Sequence, residues 1–193
     1  MVASERELWS NFMQGSEADF TLLYHRFAPV LLRYGNRVTK DREMVKDSLQ
    51  QVFFTLWKSK ANLSTPANVT YYLLKAMRSE LLKKLSRQPV HEALPEDYCF
   101  ELEASYEEDL ITEQGSEHTK KRLSAVLEKL PSRQREVVFL KYYANLKYEE
   151  IASIMGIAQE SAYKLNYKAL DKLQHLLKRV LVCALPVLFA SIF

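Results

Sequence analysis

The chain has 193 residues, 48% of them hydrophobic and 11% aromatic, which is enough to build real cores and argues against wholesale disorder. It contains only 4 glycines, whereas a phosphate-cradling loop needs several close together; with abundant Leu, Lys, Glu and Ala, that scarcity points to an all-α protein. The net charge of +3 conceals a segregation. Residues 1–91 carry 14 basic and 8 acidic side chains, residues 92–118 carry 10 acidic and no basic ones, and residues 119–193 carry 13 basic and 6 acidic. Two basic blocks around an acidic spacer are the pattern of two polyanion-binding modules on a tether.

The same inventory speaks against enzyme chemistry. Cys99 and Cys183 lie far apart and match no metal or redox spacing, as expected in a reducing cytoplasm. His25, His91, His118 and His175 are scattered, so no metal site or cofactor is expected. No nucleophile–base pair or phosphate loop stands out either. Met1 is followed by Val-Ala-Ser-Glu-Arg-Glu, not by a basic and then apolar run, so no signal peptide is expected and the cytoplasm is the expected location.

In chain order, Phe20, Leu23, Tyr24, Phe27 and Leu31 recur at three- and four-residue steps, as on one buried helix face. Val45, Leu49, Val52 and Leu56 repeat the pattern in a second helix. Ser64-Thr65-Pro66 is a start signal for a third, which would run to about Arg87 before Pro89 stops it. That helix gathers Leu73, Leu74, Met77, Leu81 and Leu85 on one side. Asn68, Tyr71, Tyr72, Lys75, Arg78, Ser79 and, at the edge, Lys83 gather on the other. Aromatic rings among cations suit a surface that stacks bases and grips phosphates, although a merely solvated basic face would read the same.

Residues 88–118 lose the helical pattern and collect Pro89, Pro95 and the acidic run, as in a self-repelling linker, with room for a short helix around Leu102 to Ile111. Leu123, Val126, Leu127 and Leu130 open the last block, and helical spacing resumes at Val137, Val138 and Leu140. In Tyr148 to Leu170, a short helix with Ile151, Ala152 and Ile154 or Met155 inward would end at Gly156, which takes a left-handed cap readily. A second helix, with Ala162, Leu165, Ala169 and Leu173 as its inner stripe, would follow a tight turn. This is the pattern of a helix-turn-helix, whose second helix enters the DNA major groove.

Two segments resemble extracytoplasmic-function (ECF) sigma factors. Asp47-Ser-Leu-Gln-Gln-Val-Phe-Phe-Thr-Leu-Trp57 is similar to their polymerase-binding helix. Leu130-Pro-Ser-Arg-Gln-Arg-Glu-Val-Val-Phe-Leu140, followed by Tyr148-Glu-Glu-Ile-Ala, is similar to their promoter-binding domain. Together they cover roughly residues 8–177, in the family's order. The resemblance implies two small helical domains joined by the acidic linker. Residues 1–91 would bind core RNA polymerase and melt the −10 element, residues 92–118 would be the linker, and residues 119–178 would read the −35 element of promoter DNA. The linker's acidity would either mimic RNA charge in a basic channel of polymerase or merely keep the tether soluble.

Position by position, the resemblance places Asp47, Gln50, Gln51 and Phe54 on polymerase, with Trp57 more safely core; the family usually has Glu at the position of Gln51. Residues 58–66 match the loop that receives a flipped base, with Asn62, Leu63 and Ser64 as pocket candidates. Tyr71, Tyr72, Lys75, Arg78, Ser79 and Lys83 complete the −10 surface, although relatives commonly have Asn at the position of Ser79 and Asp at that of Lys83. The −35 surface would comprise Gln159, Ser161, Tyr163, Lys164, Tyr167 and Lys168, with Arg133 and Arg135 gripping phosphates. Ala158 stands where relatives cap the recognition helix with a hydroxyl. Such factors are commonly restrained by an anti-sigma protein, which would be a further partner, although no residue specifies one.

Residues 179–193 stand outside this plan. Val180 to Phe193 is uncharged and apolar, but a membrane span needs about 17–25 residues and Pro186 interrupts this one, which counts against membrane contact. A helix folded back on the protein's own grooves and an autoinhibitory or partner-binding segment both stay open. A function from another class is a free-standing helix-turn-helix regulator with an N-terminal protein-interaction module. The Asp47–Trp57 helix argues against it, because such a regulator needs no polymerase-binding surface.

Overall fold

The computed structural model describes residues 4–87, Phe100 and 126–190, with side chains described through Leu176. The chain divides into two units, the main break falling after residue 99. Every regular element among the described residues is a helix, as the composition predicts.

The N-terminal unit has four helices, α1 (Glu5–Met13), α2 (Glu17–Val38), α3 (Arg42–Ser59) and α4 (Val69–Leu85). Each begins at a side chain that accepts a hydrogen bond from an otherwise orphaned amide: Ser4 from Glu7, Ser16 from Asp19, Asp41 from Met44 and Asn68 from Tyr71. At Ser4 the bond is reciprocated, because the Glu7 carboxylate accepts from the Ser4 amide at 2.7 Å and forms a capping box. Those bonds from Ser4 hold the Glu7 carboxyl below its ordinary value. Leu8, Trp9 and Phe12 of α1 are buried, as are Leu23, Phe27 and Leu31 of α2 and Val45, Leu49, Val52 and Leu56 of α3. Leu73, Leu74, Met77 and Leu81 of α4 complete the core.

The unit closes tightly at Gly35. A methyl group there would lie 2.6 Å from Val45 Cγ1 and 2.9 Å from Met77 Cε, so glycine lets α2 meet α3 and α4. Two expectations need correction. The third predicted helix begins at Val69 behind its Asn68 cap, not at Ser64–Pro66, and ends at Leu85, not Arg87. The carboxamide of Asn68 offers the amide of Tyr71 a direct acceptor at 3.1 Å. Helix α1, with its Trp9, was not anticipated at all.

In the C-terminal unit, residues 126–130 lead into α5 (Ser132–Val138), a π turn over Phe139–Tyr143, α6 (Tyr148–Met155) and α7 (Gln159–Ala190). Val126, Leu130, Ala169 and Leu173 form a buried cluster flanked by Leu127, Val138 and Leu176. Phe100 is buried edge-on against Phe139, with ring centroids 5.8 Å apart. The π turn is closed by the Ala144 amide donating to the Phe139 carbonyl, and Asn145 then takes a left-handed φ of 54°. Gly156, at φ 65°, ends α6 as the sequence predicts.

The inner stripe of α7 differs by one position from expectation. Ala162, Ala169 and Leu173 are buried, but Asn166 and not Leu165 completes the stripe, and Leu165 is half-buried. The helix also runs through Pro186 to Ala190, where the sequence reading has an interruption. The acidic linker, Phe100 apart, the short helix considered around Leu102 to Ile111 and the tail's side chains lie outside the described residues.

Candidate nucleic-acid interface

On α3 the apolar positions Met44, Val45, Leu49, Val52, Phe53 and Leu56 are buried, and one aromatic is largely exposed. Phe54 is 61% exposed, beside the exposed Asp47, Gln50 and Gln51. Leaving a phenyl ring in water forfeits about 1.5–3 kcal/mol of burial, so this face lacks a stabilising role within the unit. Gln51 donates to the Thr55 hydroxyl at 3.1 Å along the same face. Trp57 is half-buried, packed near Phe12 and Phe20, with the Lys60 ammonium 3.8 Å from its ring centroid. It belongs to the core edge, as the sequence reading preferred.

After α3 a single 3-10 turn (Lys60–Asn62) leads into the loop before α4. Asn62 and Ser64 are exposed there and Leu63 is half-buried. On α4, Lys75, Ser79 and Lys83 are exposed, while Tyr71, Tyr72 and Arg78 are half-buried. Lys75 donates to the Tyr71 hydroxyl at 3.2 Å, and Lys83 lies 3.8 Å from the Glu80 carboxylate. Tyr72 departs from expectation: its ring packs edge-on against Trp9, with centroids 5.5 Å apart. Tyr72 therefore serves the core as well as the surface, a role that could not be read without α1.

In the C-terminal unit, Gln159, Ser161, Lys164 and Lys168 are exposed on the first turns of α7, with Tyr163 at 58% and Tyr167 at 67% exposure. The helix starts behind Ala158, whose carbonyl accepts from the amides of Ser161 and Ala162 but whose side chain can cap nothing. Tyr148, Gln159, Glu160, Tyr163 and Lys164 line an open depression of about 340 Å³ at this end of α7. Arg133 is half-buried. Arg135 is not placed as expected: it is only 9% exposed and points a guanidinium nitrogen at the Glu128 carbonyl, 3.5 Å away, so burial takes it from the phosphate-gripping set.

One buried polar residue escaped the sequence reading. Asn166, 3% exposed, donates to the hydroxyls of Tyr142 at 3.1 Å and Tyr148 at 2.9 Å. Tyr148 also carries Lys141 over its ring at 4.8 Å and Tyr163 against its edge at 5.3 Å. Burial pushes the Tyr148 hydroxyl above its ordinary range, Tyr142 and Tyr163 add to the shift, and the bond from Asn166 opposes it. The available signal was an asparagine at the four-residue step between Ala162 and Ala169. Among the described residues, no group of His, Cys, Asp or Glu is placed to hold a metal ion, and no helix is long and apolar enough to cross a membrane.

Residues 120–173 match the family described as sigma-70, region 4. Over 183 residues, covering 90% of this chain and 97% of the relative, the sequence is 26% identical to the ECF RNA polymerase sigma factor RpoE of Cereibacter sphaeroides. The chain is similar to the ECF sigma factors along most of its length. Its fold agrees. CnrH, solved with the cytosolic domain of CnrY, matches with a TM-score of 0.58 at 16% identity, over 91% of this chain and 97% of that one. The sigma factor RpoE of Bartonella quintana, solved with the anti-sigma factor NepR, matches with a TM-score of 0.59 at 20% identity, over 83% and 97%. This sigma factor acts in transcription initiation, with its DNA-binding region 4 in the C-terminal unit.

Proposed function

We propose that this sigma factor binds core RNA polymerase through the outer face of α3, opens the −10 element with the loop after α3 and the exposed side of α4, and reads the −35 element with the start of α7. It performs no chemistry of its own and works in the cytoplasm. The observation that carries this reading is the exposed Phe54, an aromatic anchor flanked by polar groups on a helix whose other apolar residues are inside. Anchors of this kind dominate protein interfaces. On α4, Lys75, Arg78 and Lys83 supply cations beside Tyr71, suited to a strand being separated. On α7, Tyr163 and Tyr167 offer rings to thymine methyl groups, while Lys164 and Lys168 reach base edges or phosphates. An anti-sigma protein is the natural competitor for the Phe54 surface.

The test is core-polymerase pull-down of the Phe54→Ala, Gln50→Ala double variant. It should lose about 2 kcal/mol or more of binding, roughly thirtyfold in affinity, while the DNA binding of its C-terminal unit stays unchanged. Core affinity equal to wild type would remove α3 from the polymerase interface.

A further inference from the structure

The apolar stripe of α7 is unusual in what it brackets. Ala162 and Ala169 are small, so they allow close approach but interlock weakly, and apolar contact is non-directional. Asn166 lies between them, and both of its amide hydrogens are used, on hydroxyls from two separate parts of the unit. Tyr142 reaches it from the π turn, where the additional residue per turn changes the direction in which the following side chains point. Tyr148 reaches it from the first position of α6. The Asn166 carbonyl oxygen, also buried, has no acceptor role among the described residues, so the carboxamide serves as a donor fork.

We propose that Asn166 is a positioning residue for sequence recognition: with Tyr142 and Tyr148 it forms a polar clamp that fixes the roll of α7 about its own axis, and thereby the aim of Tyr163 and Lys164 at base edges. This rests on α7 being the DNA-reading helix. A hydrogen bond weakens steeply with angle and distance, so two bonds converging from different elements define one roll angle where an apolar stripe accepts several. Tyr163 and Lys164 leave the helix within one turn of Asn166, and Tyr163 also leans on the clamped Tyr148 ring. Base-edge contacts require side chains held to within about 10–20° of the productive geometry, whereas a phosphate contact by a long lysine tolerates much more. The clamp therefore governs discrimination more than affinity.

The experiment uses the full chain bound to core polymerase. Upstream sequences are first selected from a randomised duplex library by the wild-type holoenzyme. Affinity for the selected duplex and for a scrambled one is then measured with Asn166→Leu, Tyr142→Phe, Tyr148→Phe and Lys164→Ala. Replacing Asn166 by an apolar group of similar volume leaves two tyrosine hydroxyls that are not fully enclosed and can turn to water, so its unfolding midpoint should stay close to wild type. Its preference for the selected duplex should fall about tenfold, the size of one good base contact, with scrambled-duplex affinity unchanged. The two phenylalanine variants should fall in the same direction by less.

Intact discrimination in Asn166→Leu overturns the proposal, and so does an equal loss on both duplexes, which is what a merely structural role produces. Should Asn166→Leu not fold, Tyr142→Phe decides alone, since it removes one hydroxyl from an exposed ring. Lys164→Ala separates the two levels of the argument: if it loses preference while the clamp variants do not, the clamp fails and the reading helix stands. If neither loses preference, both fail.

Discussion

The two units solve the same problem, holding helices at fixed angles, by different means. In the N-terminal unit all four helices start at a capping side chain, and the core is aromatic and aliphatic, with Trp9, Phe12 and Tyr34 fully enclosed. In the C-terminal unit α5 begins behind Pro131 and α7 behind Ala158, neither of which offers a capping oxygen, while Arg135, Glu136 and Asn166 are buried. The first unit gains stability from caps and large rings. The second gives some of that up and spends buried polar groups on direction. Polar networks of this kind are costly when incomplete and restrictive when complete. Under the proposed function, that suits a surface that tells one base from another, and the apolar interlock suits a unit that withstands strand separation.

Removing Trp9 is the strongest way to break this contrast. Its indole nitrogen has no acceptor among the described residues, so packing is what it contributes, edge-on to both Phe12 and Tyr72. Trp9→Ala should cost about 3–5 kcal/mol. Hydrogen exchange should show the loss in α1–α4 and not in α5–α7, and equal loss in both would mean that the units share one stability. Gly35→Ala is expected to cost about 1–3 kcal/mol through overpacking against Val45 and Met77, read by chemical denaturation. A neutral result would show that the Val45 side chain gives way freely.

Exchanging the capping habits sharpens the comparison at smaller scale. Asn68→Ala should destabilise by about 1 kcal/mol and Ala158→Ser should stabilise by a similar amount, both measured as shifts in unfolding midpoint. Failure of the serine to help would mean that the start of α7 is held by its surroundings. The smallest effect concerns acid. The Glu7 carboxyl is depressed in the folded protein by its bonds from Ser4, so its contribution is present above the ordinary glutamate value of 4.5 and is lost as pH falls through the lower folded value. Glu7→Gln should flatten the pH dependence of α1 protection in that acid range and nowhere else.

Much of this was legible because it is local. The stripes in α2 and α3, the left-handed stop at Gly156 and the start of α7 at Gln159 follow from spacing and from glycine. The misreadings have local and distant causes. Ser4 and Glu7 spell out a capping box, so the start of α1 is legible locally. Ser64-Thr65-Pro66 and Asn68 were competing starts for α4, and the nearby cap decided. Spacing puts Asn166 on the inner stripe, but its partners could not be read from spacing, because they lie 18 and 24 residues away. Arg135 failed for the same reason: burial of a cation is settled by tertiary packing.

The placement of the two indoles has an optical consequence. Both tryptophans of the chain, Trp9 and Trp57, lie in the N-terminal unit, one fully enclosed and the other half-buried beneath a lysine. Among the described residues, Tyr142, Tyr143, Tyr148, Tyr163 and Tyr167 are the aromatic hydroxyls of the C-terminal unit. Excitation at the red edge of the indole band thus reports on the N-terminal unit alone. The Lys60 ammonium near the Trp57 ring makes that emission sensitive to whatever displaces the lysine. An anion that draws Lys60 away from the ring should change the fluorescence of the unaltered protein, giving events in the loop after α3 an unlabelled signal.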